Sequence, residues 1–245
     1  MGDGSPFTSA LSAGEFAAIR SVGFEPVGQV MGTSVHSPVT KRGQLDCMAR
    51  SQDAYAARLS LPYDRVLLRL RQECFALGAD GVVGATIRRR TVAGAVETTA
   101  IGTAVRATGA RRLYTPFIAH LNSHDFAKLV ASGWMPVGTA YGFAVDIVHA
   151  YAPWGWQPNT EMRVTTGLVQ RVRQAARKQL VADIARQGGV GFVLARHDHE
   201  RHLHECVMRE GREDLVLESS FLGTAIVPFR TKSPLSPKTL TVMPL

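Results

Sequence analysis

Three cysteines, Cys47, Cys74 and Cys206, stand far apart with no Cys-x-x-Cys pair. They are too few and too scattered for a disulfide framework, and they fit a reducing cytoplasm. No apolar run approaches the ~20 residues needed to cross a bilayer. The opening Met1-Gly2-Asp3-Gly4-Ser5-Pro6 lacks the cationic start and apolar stretch of a secretory leader. Pro6 also stands where a myristoylation signal needs Ser or Thr. The sequence therefore predicts a cytoplasmic protein with no membrane partner. Catalytic signatures are missing too: there is no Gly-x-Ser-x-Gly elbow, no Gly-x-x-x-x-Gly-Lys loop and no His-Glu-x-x-His. Asp80, Glu97 and Glu218 fall near turns or in strands, where capping and edge solvation account for them. No catalytic residue, and no enzymatic activity, is expected.

Concentrated charge is absent as well. The net charge is +8, but residues 1–110 carry 12 basic and 9 acidic side chains and residues 111–245 carry 16 and 11. Only Arg88-Arg89-Arg90 forms a run, and it reads as a solvated strand end. A nucleic-acid binder would show a basic stripe with interleaved aromatics, so no nucleic acid is expected as a partner.

What is present is an ordinary globular composition, 45% hydrophobic and 20% charged, carrying an internal duplication. Pro6–Gly32 aligns without a gap on Pro116–Gly142, ten of 27 positions being identical, against about two expected by chance. The matches include Pro6/Pro116, Phe7/Phe117, Phe16/Phe126, Gly23/Gly133 and Pro26-Val27-Gly28/Pro136-Val137-Gly138. The same offset of 110 brings Leu70 onto Leu180 and Gly81 onto Gly191. It becomes 121 where Gly102-Thr103-Ala104 meets Gly223-Thr224-Ala225. The second copy thus carries about eleven extra residues between its last strands.

Each copy reads alike. Ser12 with Glu15, and Asn122 with Asp125, have capping-box spacing for a short helix, which Gly23 or Gly133 ends. A strand follows, Val27–Val35 or Val137–Val148. After a variable loop comes a long helix whose stripe is Leu59, Tyr63, Val66, Leu70, Cys74 and Leu77 in one copy. In the other it is Val169, Val172, Ala176, Leu180 and Ile184. Pro62 is expected to kink the first of these helices or to start its second half. Gly78 and Gly188 fit C-terminal caps. Strands Val82–Ile87 and Thr98–Val105, or Phe192–Ala195 and Leu217–Val227, complete the unit. The predicted class is α+β: an antiparallel sheet with a long helix on one face. The domains are residues 6–107 and 116–229, joined by a linker at 108–115. Residues 230–245 are expected to form a mobile tail, because Pro234, Pro237 and Pro244 oppose regular structure.

Three motifs of the first copy carry a family resemblance: Pro6-Phe7-Thr8-Ser9 through Phe24-Glu25-Pro26-Val27-Gly28, Ala76-Leu77-Gly78-Ala79-Asp80-Gly81-Val82-Val83-Gly84, and Ala100-Ile101-Gly102-Thr103-Ala104-Val105. They resemble the YbjQ-like heavy-metal-binding family in its tandem-domain form. The likeness is weaker in the second copy, where Arg186-Gln187-Gly188-Gly189 replaces the usual wording and Leu194 replaces the last glycine. The resemblance implies a dodecin-like β-α-β-β unit, assembly into homo-oligomeric rings, typically of five, and no enzymatic activity. It supplies no ligand set. Two units per chain cannot fill one five-membered ring with whole chains, so the expectation is two stacked rings or an even-numbered ring.

The sharpest local feature is His197-Asp198-His199-Glu200-Arg201-His202-Leu203-His204-Glu205-Cys206, which holds four of the chain's eight histidines. On an extended strand His197 and His199 share one face, and His202, His204 and Cys206 the other. A bulge between the sets would unite them. Imidazole and thiolate suit zinc, nickel or copper, so these five are the candidate metal ligands of a non-enzymatic metal-binding protein. The alternative is a structural or protein-interaction module without metal. Its contact surface would be Trp154 and Trp156, set between proline and glycine in the variable loop, together with the basic faces.

Overall fold

The computed structural model describes residues 11–37, 52–93, 95–109, 115–151, 161–206, 210–229 and 242–244. Among the described residues the fold is α+β, with four helices and two four-stranded sheets. Helix α1 (Ala13–Ser21) opens the first half and is followed by β1 (Phe24–His36), α2 (Gln52–Ala76), β2 (Gly81–Val92) and β3 (Ala95–Ala107). The second half runs β4 (Phe117–Ile118), α3 (Ser123–Ala131), β5 (Trp134–Tyr151), α4 (Arg163–Arg186), β6 (Gly191–Glu205), β7 (Glu213–Pro228) and β8 (Val242–Pro244). Among the described residues no helix is long and apolar enough to cross a membrane.

Local chemistry sets the element ends. At α1 the Ser12 hydroxyl accepts from the Glu15 amide at 3.3 Å, and the Glu15 carboxylate accepts from the Ser12 amide at 2.8 Å. Two orphan donors are satisfied reciprocally. Asn122 caps α3 through its side-chain oxygen alone, accepting from the Asp125 amide at 2.9 Å. Both long helices end on a left-handed glycine, Gly78 (φ 62°) and Gly188 (φ 74°). The Ala79 and Gly189 amides then reach back to the carbonyls of Cys74 and Ile184. Pro62 neither breaks α2 nor begins it; the helix runs through it from Gln52 to Ala76.

The strand order β1-β3-β2 of the first sheet recurs as β5-β7-β6 in the second, every pair antiparallel. The fourth strands differ from expectation. Phe117–Ile118, which reads as the opening of the second copy, pairs in parallel with Gly81–Val82 and completes the first sheet. The tail is not wholly irregular either: Val242–Pro244 pairs antiparallel with Gly191–Val193 on the matching edge of the second sheet. Proline is tolerated there because an edge strand need not use every donor.

Each sheet buries part of both faces. On one face, α2 sets Val66, Leu70 and Cys74 against Val82, Ala100 and Ala104, and α4 sets Val172, Ala176, Leu180 and Ile184 against Phe192 and Ala225. The opposite faces meet in one shared core, where Val83 and Val105 of the first sheet and Val193 and Ile226 of the second surround Ile19, Phe117, Phe126 and Leu129. The long helices press closely on the first strand of each sheet. A Cβ at Gly32 would lie 2.4 Å from the Val66 carbonyl oxygen, and one at Gly142 would lie 2.1 Å from that of Ala176. A helix carboxylate ties down the same strand at the same place in both halves. Glu73 accepts from the Met31 amide at 2.7 Å, and Asp183 from the Tyr141 amide at 3.0 Å.

Candidate functional site

Two regions can act: the histidine hairpin and the junction between the halves. The hairpin is the outer arm of β6 and β7, where the eleven extra residues of the second copy are accommodated. Its geometry separates the histidines. The register shift between β6 and β7 lies at Leu194/Arg196, ahead of every histidine, and pairing then runs without interruption from Arg196↔Leu222 to Glu205↔Glu213. Strand parity is therefore kept. His197 and His199 stay on one face and the backbone positions of His202 and His204 on the other.

The His197 ring stacks on Phe221 (centroids 4.1 Å apart, planes at 16°) and meets the edge of His199 at 4.4 Å. Its Nε2 is buried with no hydrogen-bond partner among the described residues. Burial holds its pKa below the usual imidazole range, and His199 and Arg173 push it the same way. This ring behaves as a packing group on a phenylalanine. Cys206 is buried beyond the strand end, its amide bonded to the Arg212 carbonyl at 2.7 Å. Glu200, His202 and Glu218 each bring one ligand-type atom within 4.8 Å of the others, a mainly carboxylate grouping at the surface that includes only one of the five expected ligands. Trp154, Trp156 and Cys47 lie outside the described residues. Asp80 accepts from the Ala107 amide at 2.9 Å, and Glu97 lies ten residues back along β3, roughly 30 Å away, so the two acids could not act as a pair. The Cys74 thiol is pushed up to about 12 by burial, with Asp80 adding to the effect, so it carries no thiolate at neutral pH.

The junction is the more constructed region. Phe117 is buried against Phe126, stacked at 5.8 Å, and edge-on to Phe24 at 6.2 Å. Its ring covers Gly81, where any Cβ would lie 2.3 Å from it. Ile118 points the other way, into the core beneath α2. The backbone of this segment is stitched to β2, with the Phe117 amide on the Asp80 carbonyl, the Ala119 amide on Val82, and the Gly84 and Ala85 amides on the Leu121 and Ala119 carbonyls. Gly84 adopts φ 64° to turn its amide outward, a conformation that glycine reaches without a Cβ penalty. Alongside, Tyr63 of α2 packs on Tyr141 and Phe143 of β5, the Tyr141 hydroxyl bonds the Asp64 carboxylate, and Arg71 donates to the Pro116 carbonyl.

His120 lies in the same seam. It receives nothing from the sequence pattern that marks it out, and only the chain crossing reveals it. Its Nδ1 lies 2.6 Å from the Ala85 carbonyl oxygen, so the ring carries its proton there and donates. Its amide donates to Thr224 Oγ1 at 3.0 Å. Nε2 is buried without a partner among the described residues. Burial lowers the pKa, and the bond to Ala85 only partly opposes this. An imidazole with a depressed folded-state pKa stabilises the fold fully above its unfolded pKa of about 6.5; below it the unfolded chain binds the proton more readily, and stability falls with pH. Urea midpoints are therefore expected to drop from pH 7 to pH 5. His120→Asn, which keeps a donor for Ala85 and cannot titrate, is expected to flatten that slope, His197 supplying the remainder.

No protein-family model matches the chain. It is 32% identical over 206 residues to the encapsulin nanocompartment protein Rv1762c of Mycobacterium tuberculosis, the match covering 76% of each chain. This relationship overturns the YbjQ-like heavy-metal reading and the metal-binding function expected from it. Alternation along the unbulged strand places the five expected ligands, His197, His199, His202, His204 and Cys206, on two faces, with Cys206 buried past the strand end. The chain belongs to the family of the encapsulin nanocompartment protein Rv1762c.

Proposed function

We propose that this chain is a non-enzymatic structural protein of a proteinaceous nanocompartment, working in the cytoplasm through self-association and protein contacts. The observation that carries the reading is the kinship with the encapsulin nanocompartment protein. The junction supports it, because the two halves are held together by a strand added to a sheet edge and a buried aromatic plug. We read each half as a dodecin-like β-α-β-β unit, the repeated strand order supporting this, and Trp154 and Trp156 as contact residues for a protein partner. Native mass spectrometry and electron microscopy of the purified chain test the proposal. The expected result is closed particles whose masses are multiples of the 26.5 kDa chain. A chain that stays monomeric throughout the micromolar range overturns it.

A further inference from the structure

The junction inside the chain joins two unlike surfaces: the β2 edge at Gly81–Val82, and the Pro116-Phe117-Ile118 segment that lies on it. Both have a second copy. Gly191-Phe192-Val193 repeats the edge, in an identical place in its sheet, and Pro6-Phe7-Thr8 repeats the plug at an offset of 110. Inside the chain the second edge is taken instead by β8, three residues running in the opposite direction and ending on Pro244.

We propose that the β6 edge at Gly191–Val193 is a docking site for residues 6–8 of a second copy of this chain, and that β8 is a displaceable strand competing for it. The inference rests on the self-association just proposed and names its surface. An incoming strand and β8 would need the same backbone groups, so the two exclude each other. Three pairs ending in a proline make a short, weak ladder.

The flank of the first half supports the pairing. In the junction, β5 presents Tyr141 to α2, and Val145 on the same face is 6% exposed. The equivalent positions of β1 are Met31 and Val35, which are 49% and 62% exposed. They form an apolar strand face of the kind that the junction covers. Likewise Phe126 of α3 is fully buried while its counterpart Phe16 on α1 is only half-buried. The first half thus carries the surface that the second half uses to dock. Such a head-to-tail contact closes into rings or runs on as a filament.

The copy is inexact in a way that weakens it. Leu194 stands where Gly84 turns its amide to the incoming segment, and α4 offers Arg173 and Arg177 where α2 has Tyr63 and Leu67. A contact between chains built this way is more polar than the junction, and reversible.

Sedimentation velocity on the full-length chain across the micromolar range tests the proposal, with Met243→Pro to disable β8 and Phe7→Ala to remove the plug. Met243→Pro is expected to tighten association about tenfold or more, and Phe7→Ala to abolish that gain. A synthetic peptide of residues 4–12 is expected to compete with association and to bind Met243→Pro more tightly than the parent. Peptide binding reads the edge directly, so the result does not depend on how the Phe7 variant folds. If the parent assembles but both substitutions leave its association constant unchanged and the peptide does not bind, the docking site is wrong and self-association stands. If neither parent nor Met243→Pro assembles, both proposals fall.

Discussion

The Phe117→Ala variant is expected to lose about 3–5 kcal/mol of stability, the cost of emptying a fully buried aromatic site. The loss should appear in both halves at once. Phe117 is 1% exposed and sits in the core shared by Ile19, Phe24, Val83 and Val105 from one half and Phe126, Leu129, Val193 and Ile226 from the other. The cavity cannot collapse easily, because its floor is Gly81 and two ring neighbours are already in contact with each other, Phe24 and Phe126 at 5.2 Å. Urea unfolding followed by tryptophan fluorescence and by far-ultraviolet dichroism measures it. Trp134 packs against this core and reports the second half, so a loss confined to one probe would show that the halves are not coupled through Phe117.

Gly142→Ala is expected to cost at least about 3 kcal/mol, the upper end of overpacking. The new Cβ would meet the Ala176 carbonyl oxygen at 2.1 Å and the Leu180 amide nitrogen at 2.6 Å. These are backbone atoms of α4, so no side-chain rotation relieves the clash; the helix must lift from β5 and disturb the Tyr141–Asp183 bond. Gly32→Ala should act similarly but less severely, its contacts with Val66 and Leu70 being 2.4 and 2.9 Å. The measured ranking of the two unfolding midpoints checks the argument, and equal stability for Gly142→Ala and the parent would refute it.

Gly32 and Gly142 show how far the residues alone could be read. Their alignment is visible in the sequence, and it revealed the duplication, the short capped helices, the long helical stripes and the strands, because each depends on chemistry local to a few residues. What those glycines are for was not visible, since the helix that excludes a Cβ lies more than thirty residues away. The same holds for Gly81, which looks like part of a turn and is in fact the seat of a ring 36 residues further on. Phe117 and Ile118 alternate as any buried strand would, and nothing local says which sheet they join. The tail misled for a related reason: three prolines argue against a helix or a central strand, yet one of them ends a three-residue edge strand.

The histidine hairpin was legible in part. Four imidazoles in eight residues invite a ligand reading, but ligand geometry depends on strand parity, and parity depends on where the bulge falls. Placing it at Leu194/Arg196 keeps the two sets apart and leaves His197 to pack on Phe221. The resemblance to a metal-binding family pointed the same way, and the kinship with the encapsulin nanocompartment protein overturns that resemblance.

The parallel strand β4 also matters while the chain is being made. The first sheet cannot be completed until residues 117–118 have left the ribosome, so the nascent first half waits with the backbone of Gly81–Val82 open to pairing. Several ribosomes on one message would hold such edges close to identical segments emerging from neighbouring chains. The supply of the correct strand ten residues after β3 ends makes capture in cis fast, because a short loop closes at little entropic cost. Lengthening the connection at 108–115 would slow that capture and give a strand from the next chain time to arrive first, exchanging partners between copies before either has finished folding.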